Sequence, residues 1–422
     1  MGSLVATLVL GGLGLSTAAA LVRSRVALAR HLAVAGAWLL AALSLVLLFA
    51  HENPLELGTL WIPGTEPISL SAGPSSAPLI VMAQFALALA VTLDAVRHAG
   101  SRPSHFLWLA PALCGLVVAG LAVDQFLARY AALEALALLT VVAYALEPTT
   151  QRWSRAVWGW YWQFRLGDAG LLLLILALHR ASGTFLIDPM LAVLPELPVA
   201  HRLPLLAGGL LASWVKLGLP PFHGWLAAGA ALRWWRRMWV TGIGLPLLAG
   251  YLLYRLGPAV AASGLRPVLL VAAALSLLVV AKRAMGAACW RERATWLLAA
   301  HGAAGVALAG SSAMPAYLLT LVPIRALLAA SGAYTDIWSH DELAEALSDL
   351  GASLEALVRL TAKVEERLES LLAACADAAW GAAAWMQRRH TGRLRANLLW
   401  ACLGVLAIVV ASMTAWSGGG AP

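Results

Sequence analysis

Charge is what this sequence has least of. Only 12% of its 422 residues are Asp, Glu, Lys or Arg, where a soluble domain carries roughly 25%. A water-surrounded globule is thereby excluded. Cysteine is also scarce: Cys114, Cys289, Cys375 and Cys402 stand far apart, with no C-x-x-C pair and no iron–sulfur spacing. No metal or cluster set is therefore expected. Alternation of polar and apolar residues is missing from the apolar runs, which argues against a β-barrel. The first run, 4–22, has no basic residue ahead of it, and Arg23, Arg25 and Arg30 follow it. That order is the reverse of a secretory signal peptide, so this run is expected to be a retained first span.

What is present is hydrophobic length. Apolar residues make up 61% of the chain, in runs of about 17–25 residues, the length a membrane helix needs. The expected fold class is all-α: a polytopic membrane helix bundle of about twelve spans. They are placed near 3–22, 33–50, 78–96, 105–122, 125–146, 157–179, 203–222, 239–256, 266–281, 294–310, 315–333 and 396–413. The net charge of +8 could suggest nucleic acid, but the basic residues sit in short connections. They read as topology signals, so the partner is the lipid bilayer and no nucleic acid is expected. Basic connections, such as Arg152/Arg155, Arg233/Arg236/Arg237 and Lys282/Arg283/Arg291/Arg293, alternate with connections holding Glu66, Asp124, Asp188 or Arg255. A bacterial-type inner membrane with the basic set on the cytoplasmic side then puts both termini on the other side.

The stretch from Ser339 to about Arg389 differs. Ser339 to Glu342 reads as a capping box. Leu343, Leu347, Leu350, Leu354, Leu357, Val364, Leu368, Leu371 and Cys375 follow a heptad seam, broken only by Thr361. Two readings stand here: a coiled-coil or hairpin helix, or an amphipathic helix along the membrane surface gripping neighbouring subunits. The expected organisation is a transmembrane bundle over 1–334, this helix over 339–390, and a C-terminal anchor helix over 395–413.

Within the apolar runs stand a few ionisable residues: Glu134, Arg165, Asp168, Lys216, His301 and Arg325. Even on the most lenient scale, a charge at mid-bilayer costs about 2.5–3.5 kcal/mol, so such groups pair, take up water or serve a function. Lys216 has no charged neighbour in sequence, and Pro220-Pro221 break its helix just beyond it. Carbonyls freed at membrane depth are tolerated where they line a cavity or are buried in protein. Glu134 set against Lys216 would make a proton relay, with His223 beyond the break passing protons to or from the lysine. Each residue also has a plainer reading. Arg165 and Asp168, three apart, can satisfy each other; Arg325 can tie to backbone carbonyls; His301 can be a packing residue.

The run "GGLLASWVKLGLPPFHGWLAAG" resembles the helix-break signature of the antiporter-like membrane subunits of respiratory complex I and of Mrp-type cation/proton antiporters. In that signature a lysine stands nine positions before the tryptophan of a P-F-H-x-W-L element, as Lys216 and Trp225 do. "DQFLARYAALEALALLTVVAYALEP" looks like the family's acidic helix, which puts Glu134 where the lysine's glutamate partner is expected. "FRLGDAG" is similar to its R-x-G-D element at Arg165, Gly167 and Asp168. "IRALLAASG" resembles a later helix, with Arg325 where a lysine is usual. "RRHTGRLRANLLW" looks like the start of the last span in the largest, lateral-helix-bearing subunit type. The resemblance implies proton or cation/proton translocation through Glu134, Lys216, His223, Asp168, Arg165, His301 and Arg325. It also implies partner membrane subunits, and no redox centre and no cofactor in this chain. In an NADH:quinone oxidoreductase-type assembly, electron transfer in a partner would be the driver.

The chain departs from the family in places. "ALRWWRRMWVTG" replaces the stretch with the family's next histidine, and the two histidines expected before Arg325 are Leu321 and Tyr317. Several later spans are missing. The chain is then a half-channel completed by a partner or a structural scaffold. An energy-coupling subunit for inorganic-carbon uptake, paired with a zinc-containing protein, is a further reading of "FHGWL".

Overall fold

The computed structural model describes residues 2–49, 55–56, 66–97, 104–147 and 155–331, together with Ser370, Ala374, Asp377 and Gly381. The chain divides into two compact units, Met1–Glu369 and Ser370–Pro422. The expected helix over 339–390 and the anchor over 395–413 lie outside the continuously described residues.

The long helices follow the apolar runs in order. They are α1 (Gly2–Leu21), α2 (Val26–Ser44), α3 (Ala77–Arg97), α4 (His105–Ala122), α5 (Phe126–Ala145) and α6 (Arg155–Ser182). After the short α7 (Ile187–Val193) comes α8 (Val199–Leu217), then the break, then α9 (Gly224–Ala228) and α10 (Trp234–Arg237). A stretch of π-helix, Met238–Gly244, runs on into α11 (Leu245–Ser263). The last three are α12 (Arg266–Met285), α13 (Trp290–Leu308) and α14 (Met314–Ser331).

Among the described residues, nine helical stretches are long and apolar enough to cross a membrane. Helices α8 and α13 are long as well, but each carries more polar residues. Together they match eleven of the twelve expected spans; the twelfth, 396–413, lies outside the described residues. The fold is an all-α multi-pass membrane bundle with one broken helix. Helix is the form that satisfies backbone hydrogen bonds inside lipid without an edge.

The continuous rod from Trp234 to Ser263 is the most enclosed span, and it forms the middle of the bundle. By contrast α1, α2 and α12 turn leucines and valines outward, among them Leu10, Leu39, Val268 and Val271, as lipid-facing helices do. At one end of the bundle two tiny strands, Leu55–Glu56 and Ser69–Leu70, pair antiparallel with Leu55 opposite Leu70. Bridges between Leu70 and Val123 and between Gln125 and Leu186 extend this strap over the α4–α5 and α6–α7 connections. The Asp124 carboxylate accepts from the Ser69 N–H at 2.9 Å and holds the strap down.

At the opposite end a buried cross-tie joins distant segments. Asp94, on α3, is fully buried and accepts from Arg236 Nε and Trp235 Nε1, each at 2.8 Å. Arg236 also donates to both carboxylate oxygens of Glu147, just past α5, at 2.8 and 2.7 Å. The two acids thus share one guanidinium fork, a geometry that suits arginine and not lysine.

Candidate functional site

Two helices come closest where the site lies. Helices α6 and α8 touch at Gly170 and Gly208. A Cβ added at Gly208 would sit 2.7 Å from the Gly170 carbonyl oxygen, and one at Gly170 would sit 2.8 Å from that of Gly208. Small residues permit this approach, the usual device of helix contacts in membranes. One turn away Gly167 lies against Ala212 and Val215. Asp168, beside it on α6, therefore faces the end of α8, where Lys216 stands.

The lysine's turn is held open by design of the break. Gly218 ends α8 in the left-handed region at φ 71, and a Cβ there would also crowd Leu226. A residue with a side chain fits neither requirement. The carbonyl of Val215 accepts from Trp225 Nε1 at 2.9 Å, and that of Pro220 accepts from Trp214 Nε1 at 2.8 Å. Two indoles thus supply donors to carbonyls around the break, where the Val215 carbonyl also accepts from the Gly218 N–H at 3.1 Å. The Trp225 ring packs edge-on against Phe164 and Trp160 of α6, with centroids at 5.3 and 5.7 Å. One side chain both caps the lysine's turn and seats it against the aspartate's helix.

Four charges meet here. Lys216 Nζ donates to Asp168 Oδ1. The other Asp168 oxygen lies 2.9 Å from Arg165 Nη2, and Arg165 Nη1 pairs with Glu134 Oε1 on α5. The Lys216 and Asp168 residues are each 1% exposed, whereas the Arg165 and Glu134 side chains are 18% and 25% exposed. The network therefore runs from a sealed end to an open one: Lys216, Asp168, Arg165, Glu134. The sequence reading set Glu134 directly against Lys216. The structure sets Asp168 there and joins Glu134 through Arg165, because the glycine contacts bring α6 against α8. Arg165 and Asp168 do pair with each other, and each also has a second partner of opposite charge.

The other named residues have contacts of their own. His223 is buried against the Trp296 ring of α13, with centroids 5.1 Å apart. The His301 ring stacks on Tyr317 at 4.8 Å, and the Tyr317 hydroxyl donates to the His301 carbonyl at 3.1 Å. Arg325 is fully buried; its guanidinium donates to the carbonyls of Gly242 and, at 2.9 Å, Leu298. The Gly242 carbonyl belongs to the π-helical stretch, whose wide turns leave such groups available. Arg325 is thus tied to backbone, and among the described residues no carboxylate is shown pairing with it.

Sequence reasoning missed the Asp94–Arg236–Glu147 cross-tie. In the sequence Arg236 reads as a topology signal, and Asp94 sits near a span end where charge is ordinary. The signal available was the doubled tryptophan beside it, since Trp235 and Arg236 both reach Asp94. Among the described residues, no group of three or more His, Cys, Asp or Glu side chains is placed to hold a metal ion.

No family model matches the sequence, and no curated protein matches it. Solved structures do. A structure of the membrane-bound sulfane sulfur reductase, an archaeal respiratory membrane complex, aligns over 77% of this chain and 70% of that one, at 15% identity and a TM-score of 0.65. A structure of the Mrp complex from Dietzia sp. DQ12-45-1b aligns over 77% of this chain but only 37% of that one, at 15% identity and a TM-score of 0.68. At such identity the likeness is one of fold. It agrees with the family whose motifs the sequence resembles.

Proposed function

We propose that this chain is a proton-translocating, antiporter-like subunit of a larger membrane assembly, and that Glu134, Arg165, Asp168 and Lys216 form its relay. The observation that carries this reading is the Lys216–Asp168 pair, sealed at 1% exposure beside a helix break. A buried ion pair contributes little net stability, because desolvation offsets the attraction. A packed apolar pair would serve a passive scaffold as well.

The chemistry follows from the partners. Lys216 can hold or release a proton, whereas Arg165 stays charged throughout. With Lys216 protonated, Asp168 divides its oxygens between lysine and arginine. Once Lys216 has lost its proton, Asp168 keeps only Arg165 and competes with Glu134 for it. The protonation state at the sealed end is thereby felt at the open end, where water or a neighbouring subunit can reach Glu134. Movement or charge in a partner that draws Glu134 away would run the same exchange in reverse. His223, buried just beyond the break, is the proposed donor to Lys216. In this reading the proposed helix over 339–390 and the anchor over 395–413 hold the bundle over 1–334 to its neighbours.

The test is proton flux through the purified assembly reconstituted in vesicles. Lys216→Ala is expected to abolish flux while the subunits still co-purify. Flux at the wild-type rate in that variant would overturn the relay.

A further inference from the structure

Two cavities at the strap end of the bundle share one ion pair. The larger, about 540 Å³, lies between α7, α11 and the α13–α14 turn. Its walls are chiefly apolar, with Leu191, Ala192, Pro195, Pro258, Ala259 and Met314 among them. The smaller, about 300 Å³, is polar and is lined by Asp124, Arg129 and Ser75. Asp188 and Arg255 line both cavities and pair with each other. One wall of the larger cavity is fixed by backbone. Gly310, at φ 73, brings the α13–α14 turn onto α11, where a Cβ would stand 3.0 Å from the Gly257 carbonyl oxygen. Glycine meets both demands.

The four charges of the smaller cavity, Asp124, Asp188, Arg129 and Arg255, sum formally to zero, but they are unequally committed. Asp124 accepts from the Ser69 N–H through one oxygen and from the Ser69 hydroxyl through the other. Arg129 donates to the Val123 carbonyl and lies 5.2 Å from the Tyr251 ring centroid. Asp188, by contrast, meets one nitrogen of Arg255, and its side chain is 89% exposed. An ion pair with one partner in water contributes little and opens readily. Asp188 and Arg255 are therefore the exchangeable pair.

Independently of the relay, we infer that the two cavities bind a zwitterionic phospholipid whose headgroup carries a primary ammonium, as phosphatidylethanolamine does. Its phosphate takes Arg255, its ammonium takes Asp188, and an acyl chain lies in the apolar cavity. Apolar walls with a few convergent polar groups suit an amphipathic ligand. Binding replaces one internal ion pair by two pairs with the lipid and leaves the net charge unchanged. A purely basic pocket would select anionic lipid; here the acid beside Arg255 repels a second negative charge. The arginine fork matches phosphate oxygens. A carboxylate only accepts, so it favours a headgroup with N–H donors. A choline headgroup has none and calls for an aromatic cage. Of the two rings lining the cavities, Tyr251 already faces Arg129 and Tyr254 stands without a third.

The test is native mass spectrometry of the assembly purified through this chain, stripped of loosely held lipid and titrated with three lipids of identical acyl chains. Phosphatidylethanolamine is expected to bind about tenfold or more tightly than phosphatidylcholine and phosphatidylglycerol, the effect of one charge-assisted contact. Arg255→Gln removes the phosphate's partner and is expected to weaken binding by about tenfold. Asp188→Asn leaves the cavity net positive, so the preference is expected to pass to phosphatidylglycerol. Ala192→Trp fills the apolar cavity, touches no charge and is expected to weaken binding of all three. Asp188 and Ala192 are exposed, so these two variants carry the test if Arg255→Gln does not assemble. Glycerophosphoethanolamine, the headgroup without chains, is expected not to displace the lipid when added in excess. Equal binding of the three lipids, an unchanged preference in Asp188→Asn, or full affinity in Arg255→Gln or Ala192→Trp overturns the site. Displacement by the chain-free headgroup overturns the lipid and makes the ligand a soluble solute.

Discussion

Nine positions separate Lys216 from Trp225, and the indole gives that spacing its physical meaning. It caps the Val215 carbonyl, one residue from the lysine, and leans on Phe164 of the aspartate's helix. Trp225→Phe keeps an apolar ring and loses the donor. It is expected to cost about 0.5–1.5 kcal/mol, the net worth of one hydrogen bond, since the Val215 carbonyl keeps the Gly218 N–H, and to lower flux; thermal unfolding in detergent and vesicle assays read the two effects. The ion pair itself permits a sharper test. Lys216→Met leaves Asp168 with Arg165 alone, and breaking a buried pair costs about 3–5 kcal/mol, less whatever Arg165 recovers. Adding Asp168→Asn removes the matching charge, so the double variant is expected to regain most of the lost stability and none of the transport. Additive losses in unfolding experiments would contradict the pairing. Which ionisable residues lie inside the apolar runs was legible in the sequence, because a charge there stands out. Which acid faces the lysine was not. Spacing along a helix gives depth, whereas the facing direction depends on which neighbour approaches most closely.

That approach is a property of elements. Gly170 and Gly208 let α6 and α8 meet backbone to backbone, and Asp168 and Lys216 follow within the next turns. Gly208→Ala inserts a methyl group where a Cβ would stand 2.7 Å from a carbonyl oxygen, so the helices must part. Overpacking of this kind costs about 1–3 kcal/mol, and flux is expected to fall although no charge has been touched. A Gly208→Ala protein with wild-type flux would show that the relay tolerates a wider gap. The break after Lys216 was foreseeable from Pro220-Pro221. The π-helical stretch Met238–Gly244 was not, since nothing in "MWVTGIG" marks a wide turn. Its function becomes visible only when Arg325, from a helix far along the chain, is found on the Gly242 carbonyl. The sequence alone admitted both a relay and a bracket for Arg325, and the backbone contacts fit the bracket.

At the scale of the molecule, hydropathy located the bundle well: eleven expected spans have helices over them, in order. Run length alone gave that result, because lipid leaves the backbone few other options. Long-range ties were hidden. The Asp94–Arg236–Glu147 knot joins residues that lie far apart in the sequence, and no local pattern encodes such a meeting. The proposed division of labour is open to test by truncation. A chain ending at residue 334 is expected to insert into the membrane and to lose its co-purifying partners; retention of every partner would remove the role proposed for 339–413.

The quartet of Glu134, Arg165, Asp168 and Lys216 counts two acids and two bases, so at rest its formal sum is zero. One departing proton leaves a single uncompensated charge among apolar helices. A second would leave two, and each unpaired ion in such surroundings costs several kcal/mol. On the proposed relay, stoichiometry would be written into the count of side chains: each copy of this chain would move its protons singly, like a turnstile.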